Sequence, residues 1–400
     1  MKFSEMTGKE RMLCALTGGI PDRVPAAPDF SNMIPCQKTG KPYWEIYFNA
    51  NPTLWQAYID AVDYFGTDAW FVYGGLEFTY PVPVEVRSQI VERGERRWTA
   101  RNTFVTPAGE LTELMVAPKA DAPTMVEKRI KDFKEDFSKL RYLYQTPVSY
   151  DATLYKRQAE ALGDRGLMTS CIITPGLQFY VDVFEGNLEA ATFALYDEPE
   201  LMEELRQLDH QRCVKMAEMN AEAGVESVLI GGSGSITMQG PDLWRYFSLP
   251  TIKEITRICK QAGIPVGLHS CGKQRYLIDT VAAETDLNYV HPLEIPPMGD
   301  CVLADVKQAV GHKLALMGNL HTTETMLFGS PELVRLRALE CIRDAGQGGG
   351  FVLSTGDQCG RDTPDANVFA MVEAVKEFGT YPLNMPAIEA EISRLKALLG

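Results

Sequence analysis

Short apolar runs rich in β-branched and aromatic residues alternate along this chain with longer stretches whose apolar positions recur at helical spacing. Eight runs read as strands: residues 23–28, 68–74, 166–173, 226–231, 264–270, 287–292, 313–319 and 350–355. From the fourth onward they come about 25–40 residues apart with helix-like sequence between them, the spacing of repeated βα units. The runs are continuously apolar rather than alternating, as parallel strands covered on both faces require. Eight such units predict an α/β protein built as a (β/α)8 TIM barrel. A doubly wound sheet is the competing architecture, but its glycine-rich phosphate turn is absent after the first run.

Helix punctuation fits the same frame. Thr7 with Glu10 predicts a capping box opening an N-terminal helix ahead of the first strand. Pro241, Pro331 and Pro364 stand at first helical positions, the latter two after Ser330 and Thr363 as caps. Residues 386–399 place Ile388, Ile392, Leu395 and Leu398 on one helical stripe. Residues 75–165 break the repeat. Alternating segments at 84–92, 96–105 and 111–116, parted by Gly94-Glu95 and Pro107-Ala108-Gly109, predict an antiparallel insert after the second strand. A helix around 125–138 is expected to follow it. An insert at a strand's C-terminal end lies over the active face of a barrel, as a lid or a docking surface. Residues 1–400 then form a single elaborated barrel domain.

Charge narrows the partners. Lys and Arg total 39 against 53 Asp and Glu, a formal charge of −14 with no basic block, which argues against nucleic acid and anionic membranes. The start of the chain carries Glu5 and Glu10 where a leader would be apolar, and no run is long enough to span a bilayer. Nine cysteines, an odd number spread thinly, form no disulfide framework and point to a reducing cytoplasm.

Barrel chemistry sits at the C-terminal ends of strands. The fifth run ends in His269-Ser270-Cys271, and the eighth runs on through Asp357 to Cys359. His269, Cys271 and Cys359 converging on one rim make a three-ligand soft site that favours zinc and leaves a coordination position open, as catalytic zinc does. A redox pair is the alternative for the two thiols. Cys14, Cys171, Cys213, Cys259 and Cys341 fall inside predicted helices or strands and read as packing. Glu294, just past the sixth run, is a candidate proton donor, zinc ligand or substrate partner, and Asp357 a catalytic carboxylate or a support for a metal ligand. Asp29, Tyr73 and Asn319 are candidate substrate contacts at the rim. His291 and His321 also fall near strand ends and read as satisfied histidines. The stretch Gly231-Gly232-Ser233-Gly234 offers backbone N–H groups or close approach, without a nucleotide-loop pattern. Phe78, Tyr80, Trp98, Phe104, Phe179 and Tyr180 suit an aromatic substrate, and serve equally as barrel and lid packing.

The chain resembles the uroporphyrinogen decarboxylase superfamily, and within it the zinc-dependent, corrinoid-linked methyltransferases. The resemblance rests on Thr7-Gly8-Lys9-Glu10-Arg11-Met12 through Pro21-Asp22-Arg23-Val24-Pro25, His269-x-Cys271, His291-Pro292-Leu293-Glu294, Met298-Gly299-Asp300, Met317-Gly318-Asn319, and Cys359 with Asp362-Thr363-Pro364. It implies zinc on His269, Cys271 and Cys359, and a corrinoid (cobalamin) cofactor brought by a separate, transient partner protein. The implied reactions are O-demethylation of a small methyl donor, favoured here as an aromatic methyl ether, or methyl transfer to a coenzyme M-like thiol. A metal-free decarboxylase-like lyase and a non-catalytic corrinoid-protein partner are further alternatives. The decarboxylases' Arg-Gln-Ala-Gly-Arg motif is replaced by Asp29-Phe30-Ser31-Asn32-Met33. That leaves no cation to pair with a substrate of many carboxylates.

Overall fold

The computed structural model describes residues 5–400. The first four residues, part of the start read above as lacking a leader, lie outside the described residues. In chain order the first strand is β1 (Ala69–Gly74). The insert follows with β2 (Glu77–Thr79), β3 (Glu85–Arg93), β4 (Arg97–Thr106), β5 (Gly109–Pro118), β6 (Thr124–Glu127) and β7 (Ser149–Asp151). The remaining strands are β8 (Gly166–Ile172), β9 (Val228–Gly231), β10 (Val266–His269), β11 (Tyr289–His291), β12 (Ala315–Leu320) and β13 (Phe351–Thr355). β1 and β8 to β13 form one seven-stranded parallel sheet in that order, with helical connections as parallel pairing demands.

The eighth stave is irregular. Ala27 N–H donates to the Leu353 carbonyl (2.9 Å) and Leu353 N–H to the Pro25 carbonyl (3.0 Å), while Asp68 N–H donates to the Ala26 carbonyl (2.9 Å). Residues 23–28 thus bridge β13 to the edge of β1 and curl the sheet into a barrel. The expected strand here is reduced to an isolated bridge at Ala26 because Pro25 and Pro28 have no N–H to give a ladder. Asp68 pins the seam by accepting from Ala26 N–H (2.9 Å), Arg11 (2.6 Å) and Arg23 (2.9 Å). Arg11 comes from the helix Gly8–Leu16, whose Thr7–Glu10 capping box is formed. That helix buries Met12, Ala15 and Leu16 against Trp70, Leu167, Tyr289 and Val352, closing the end of the barrel opposite the strands' C-termini.

The insert is a four-stranded antiparallel sheet in the order β3-β4-β5-β6, beside a two-stranded ribbon of β2 and β7. The helix expected around 125–138 divides. Its first part is β6, whose Thr124 and Val126 suit a strand and which pairs on β5 through Thr124, Met125 and Glu127. The helix proper is Phe133–Leu140, started by Asp132, whose side chain accepts from Glu135 N–H. Phe133, Phe137, Leu140 and Tyr144 pack on Tyr180, Phe184, Leu205 and Phe247, so the insert rests on the chain that leaves the end of β8. Two other expectations need correction. The helix after Thr363 starts at Asp365 with Pro364 itself as cap, and Leu398 is 60% exposed, because the last turn of Met385–Leu399 runs past the core. No described helix is long and apolar enough to cross a membrane.

Candidate metal centre

The site is built on the end of β10. Side chains alternate along this strand, so Gly267 and His269 both face the barrel interior. Gly267 is required there: a Cβ would lie 2.0 Å from Tyr289 Cζ, whose ring fills the barrel beneath His269. Tyr289 in turn accepts from Trp70 Nε1 (3.1 Å), and the Trp70 ring lies 4.5 Å from that of His291. β10 and β11 pair with His269 opposite His291, and the two Nδ1 atoms stand 2.9 Å apart, in hydrogen-bond contact. Burial lowers the pKa of both rings, so both are neutral near pH 7 and one imidazole donates to the other. His291 was read from sequence as a satisfied histidine, but its Nε2 is buried without a partner and its Nδ1 is used to orient His269. The signal for this was present: two neighbouring predicted strands each carry a histidine one residue before their end.

Three ligand atoms, from His269, Cys271 and Asp357, lie within 4.8 Å of one another. The Cys271 sulfur is approached by Ser233 and the Gly234 N–H, which gives the glycine-rich stretch after β9 its place in the site. Burial, with Asp357 adding to it, pushes the Cys271 thiol up to about 11. Ionising it near neutrality therefore requires a cation. Asp357 reaches the group from the loop after β13, its Oδ1 3.9 Å from His269 Nε2. Glu294 is buried and accepts from Gly272 N–H, bracing the turn that carries Cys271, and burial raises its pKa. Asp29 forms a second group with His269 and His291. Its carboxyl is enclosed, accepts from Ser31, and is pushed by burial up to about 7.

The remaining candidates are engaged elsewhere. Cys359 is fully buried, its thiol beside Thr355 and within reach of the charges of Asp29 and Asp357, and it belongs to neither group of ligand atoms. Tyr73 packs edge-on against Tyr58 and Phe71, its hydroxyl buried without a partner. Asn319 donates to the Leu293 carbonyl (2.9 Å) and accepts from the Cys341 thiol (3.5 Å), holding the loop after β11 to the helix layer. His321 is satisfied, accepting at Nδ1 from Thr323 and Glu324 N–H. Most of the aromatics are packing: Trp98 stacks on Trp44 at 5.4 Å, Phe104 lies under Arg129, and Tyr180 meets Tyr144 and Phe247. Phe179 stays close to the centre, against Gly232, whose N–H donates to the His269 carbonyl (2.8 Å).

A nitrogen, a thiol sulfur and a carboxylate oxygen at these separations suit zinc, whose bonds to such atoms run about 2.0–2.3 Å. A family model described as uroporphyrinogen decarboxylase (URO-D) matches residues 116–378. The chain belongs to the uroporphyrinogen decarboxylase family. Within it, the uroporphyrinogen decarboxylase of Alkalilimnicola ehrlichii is 29% identical over 192 residues, 46% of this chain and 48% of that one. That of Coxiella burnetii is 29% identical over 195 residues, 46% and 49% of the two chains. The chain thus spans about half the length of the curated relatives it matches. A methyltransferase from Methanosarcina mazei shares the fold with a TM-score of 0.62, covering 94% of this chain and 99% of that one at 18% identity.

Proposed function

We propose that this member of the URO-D family is a zinc-dependent methyltransferase. It moves a methyl group from a small methyl ether, aromatic by preference, to the cobalt of a corrinoid carried by a separate protein. The observation that carries this reading is the convergence of His269, Cys271 and Asp357 at the strand ends. Zinc bound there would supply Lewis acidity to polarise an ether oxygen. His269 presents Nε2 because His291 occupies its Nδ1. Gly234 N–H and Ser233 steady the Cys271 sulfur, and Glu294 fixes its turn. Glu294, whose pKa burial raises, is the carboxyl we assign as proton donor to the leaving oxygen. The layer of Trp70 and Tyr289 closes the barrel below and keeps water from entering that way.

A decarboxylase reading suits this site less well. Asp29, Glu294 and Asp357 make it acidic, and the nearby Arg275 and Arg361 are already paired with Asp279 and with Asp121 and Asp362. Those two arginines are then not free to pair with a substrate of many carboxylates. All nine cysteines are free, in keeping with work in a reducing cytoplasm.

The test is metal analysis followed by turnover. Purified protein is expected to hold about one zinc per chain, and Cys271→Ala to lose it. The zinc-loaded protein, given methyl ethers and a corrinoid protein reduced to Co(I), should then methylate the cobalt and release the alcohol. Transfer of methyl from a methylcorrinoid to a thiol, with no demethylation of ethers, would move the assignment to the thiol methyltransferase reaction. Full activity of Cys271→Ala would remove zinc from the mechanism.

A further inference from the structure

The ligand set of this centre differs from the one its sequence suggests. We infer that Asp357, and not Cys359, is the protein ligand supplied to the metal by the loop after β13. The inference rests on the zinc reading above and names its coordination.

Several observations agree on it. The Asp357 carboxylate lies within 4.8 Å of both the His269 and Cys271 ligand atoms, and 3.9 Å from His269 Nε2. Cys359, two residues on, belongs to the buried core with none of its surface exposed, its thiol beside Thr355, and it is in neither group of ligand atoms. Backbone bonds hold it there: Cys359 N–H donates to the Asp29 carbonyl (2.9 Å), and Asp29 N–H to Thr355 Oγ1 (3.0 Å). Asp357 also has φ 147°, a backbone conformation that residues with a side chain rarely adopt. Such an outlier is kept where its surroundings, or its use, fix it. Here it turns the carboxylate toward His269 and Cys271.

The exchange of sulfur for oxygen has a chemical consequence. Cys271 and Asp357 bring the same formal charge as two cysteines, but a carboxylate oxygen is a harder donor that releases less charge to the metal. A centre with one sulfur is the stronger Lewis acid, and it suits an ether oxygen better than a soft thiol. The substrate class proposed above follows from this chain's own ligand set.

X-ray absorption of the zinc-loaded protein, together with chelator competition on variants, decides the matter. The expected spectrum has one sulfur neighbour, the rest being nitrogen or oxygen. Asp357→Ala should weaken zinc by more than about 100-fold, beyond the loss seen when a group merely supporting a ligand is removed. Cys359→Ser should hold zinc as the wild type does. Asp357→Cys, which keeps a ligand in place should Asp357→Ala fail to fold, should retain zinc and raise the sulfur count to two. Two sulfurs in the wild type, or loss of zinc in Cys359→Ser alone, would overturn the inference while leaving the zinc centre standing. A wild type that binds no zinc would instead overturn the reading beneath it.

Discussion

Asp29 shows how far burial alone can move one group. Its carboxyl is enclosed beside His269 and His291, and burial raises it from 3.8 to about 7, with Asp357 adding to the rise and Ser31 opposing it. Between those two values the folded protein binds a proton that the unfolded chain has released. Its contribution to stability is therefore complete below pH 3.8 and is lost as pH rises toward 7. Asp29→Asn keeps an acceptor for Ser31 and cannot ionise. We expect its advantage over the wild type, in metal-free protein, to grow from pH 5 to pH 8, toward roughly 4 kcal/mol. Urea midpoints across that range check it, and a difference independent of pH would show that Asp29 is ionised throughout. At this scale the sequence was partly legible. His269 and Cys271 declared themselves because a strand end sets both side chains within two residues of each other. The choice between Asp357 and Cys359 did not, since a cysteine is the better zinc ligand by type and only the course of the loop brings the Asp357 carboxylate within 4.8 Å of the His269 and Cys271 ligand atoms. The role of His291 depends on the register of β10 against β11, which neither strand's own residues specify.

Among the elements, the seam of the barrel is the most exposed to a single change. Residues 23–28 carry two prolines, so main-chain pairing there is incomplete, and Asp68 supplies what is missing by binding Arg11, Arg23 and Ala26 N–H together. Asp68→Ala would leave two guanidinium groups without this partner in a buried setting, Asp68 being 3% exposed and Arg11 5%. We expect a loss of about 3–5 kcal/mol, the cost of breaking a buried pair from one side. Denaturant unfolding measures it, and a loss below about 1 kcal/mol would mark the seam as held by packing alone. The other barrel strands were legible because each is a continuous apolar run, a signal that survives without knowing its neighbours. The irregular eighth stave reads the same way by composition, but its prolines decide its hydrogen bonding. The segment 124–127 was misread for a related reason: its strand exists through pairing with β5, a contact distant in the fold rather than a local preference.

At the scale of the whole molecule, the centre joins distant parts of the chain. His269 and Cys271 stand at the end of β10, the fifth stave when counting begins at residues 23–28, and Asp357 follows β13, the last. These groups meet only when the barrel is closed, so a metal bound by them favours the folded chain over the unfolded one. Stabilisation then follows mass action: with free zinc at about 100 times its dissociation constant, roughly 2.7 kcal/mol is gained, provided the unfolded chain does not compete. We expect urea unfolding of the wild type to shift by that amount between chelator and zinc buffers. Cys271→Ala should show no shift. The seam variant Asp68→Ala gives the more searching comparison. Its defect lies at the opposite end of the barrel from the ligands, so if folding is one transition its shift should match the wild type's despite a lower starting stability. A smaller shift would mean that loosening the seam already displaces the strand ends, and that the barrel's closure and the geometry of its metal centre are one property.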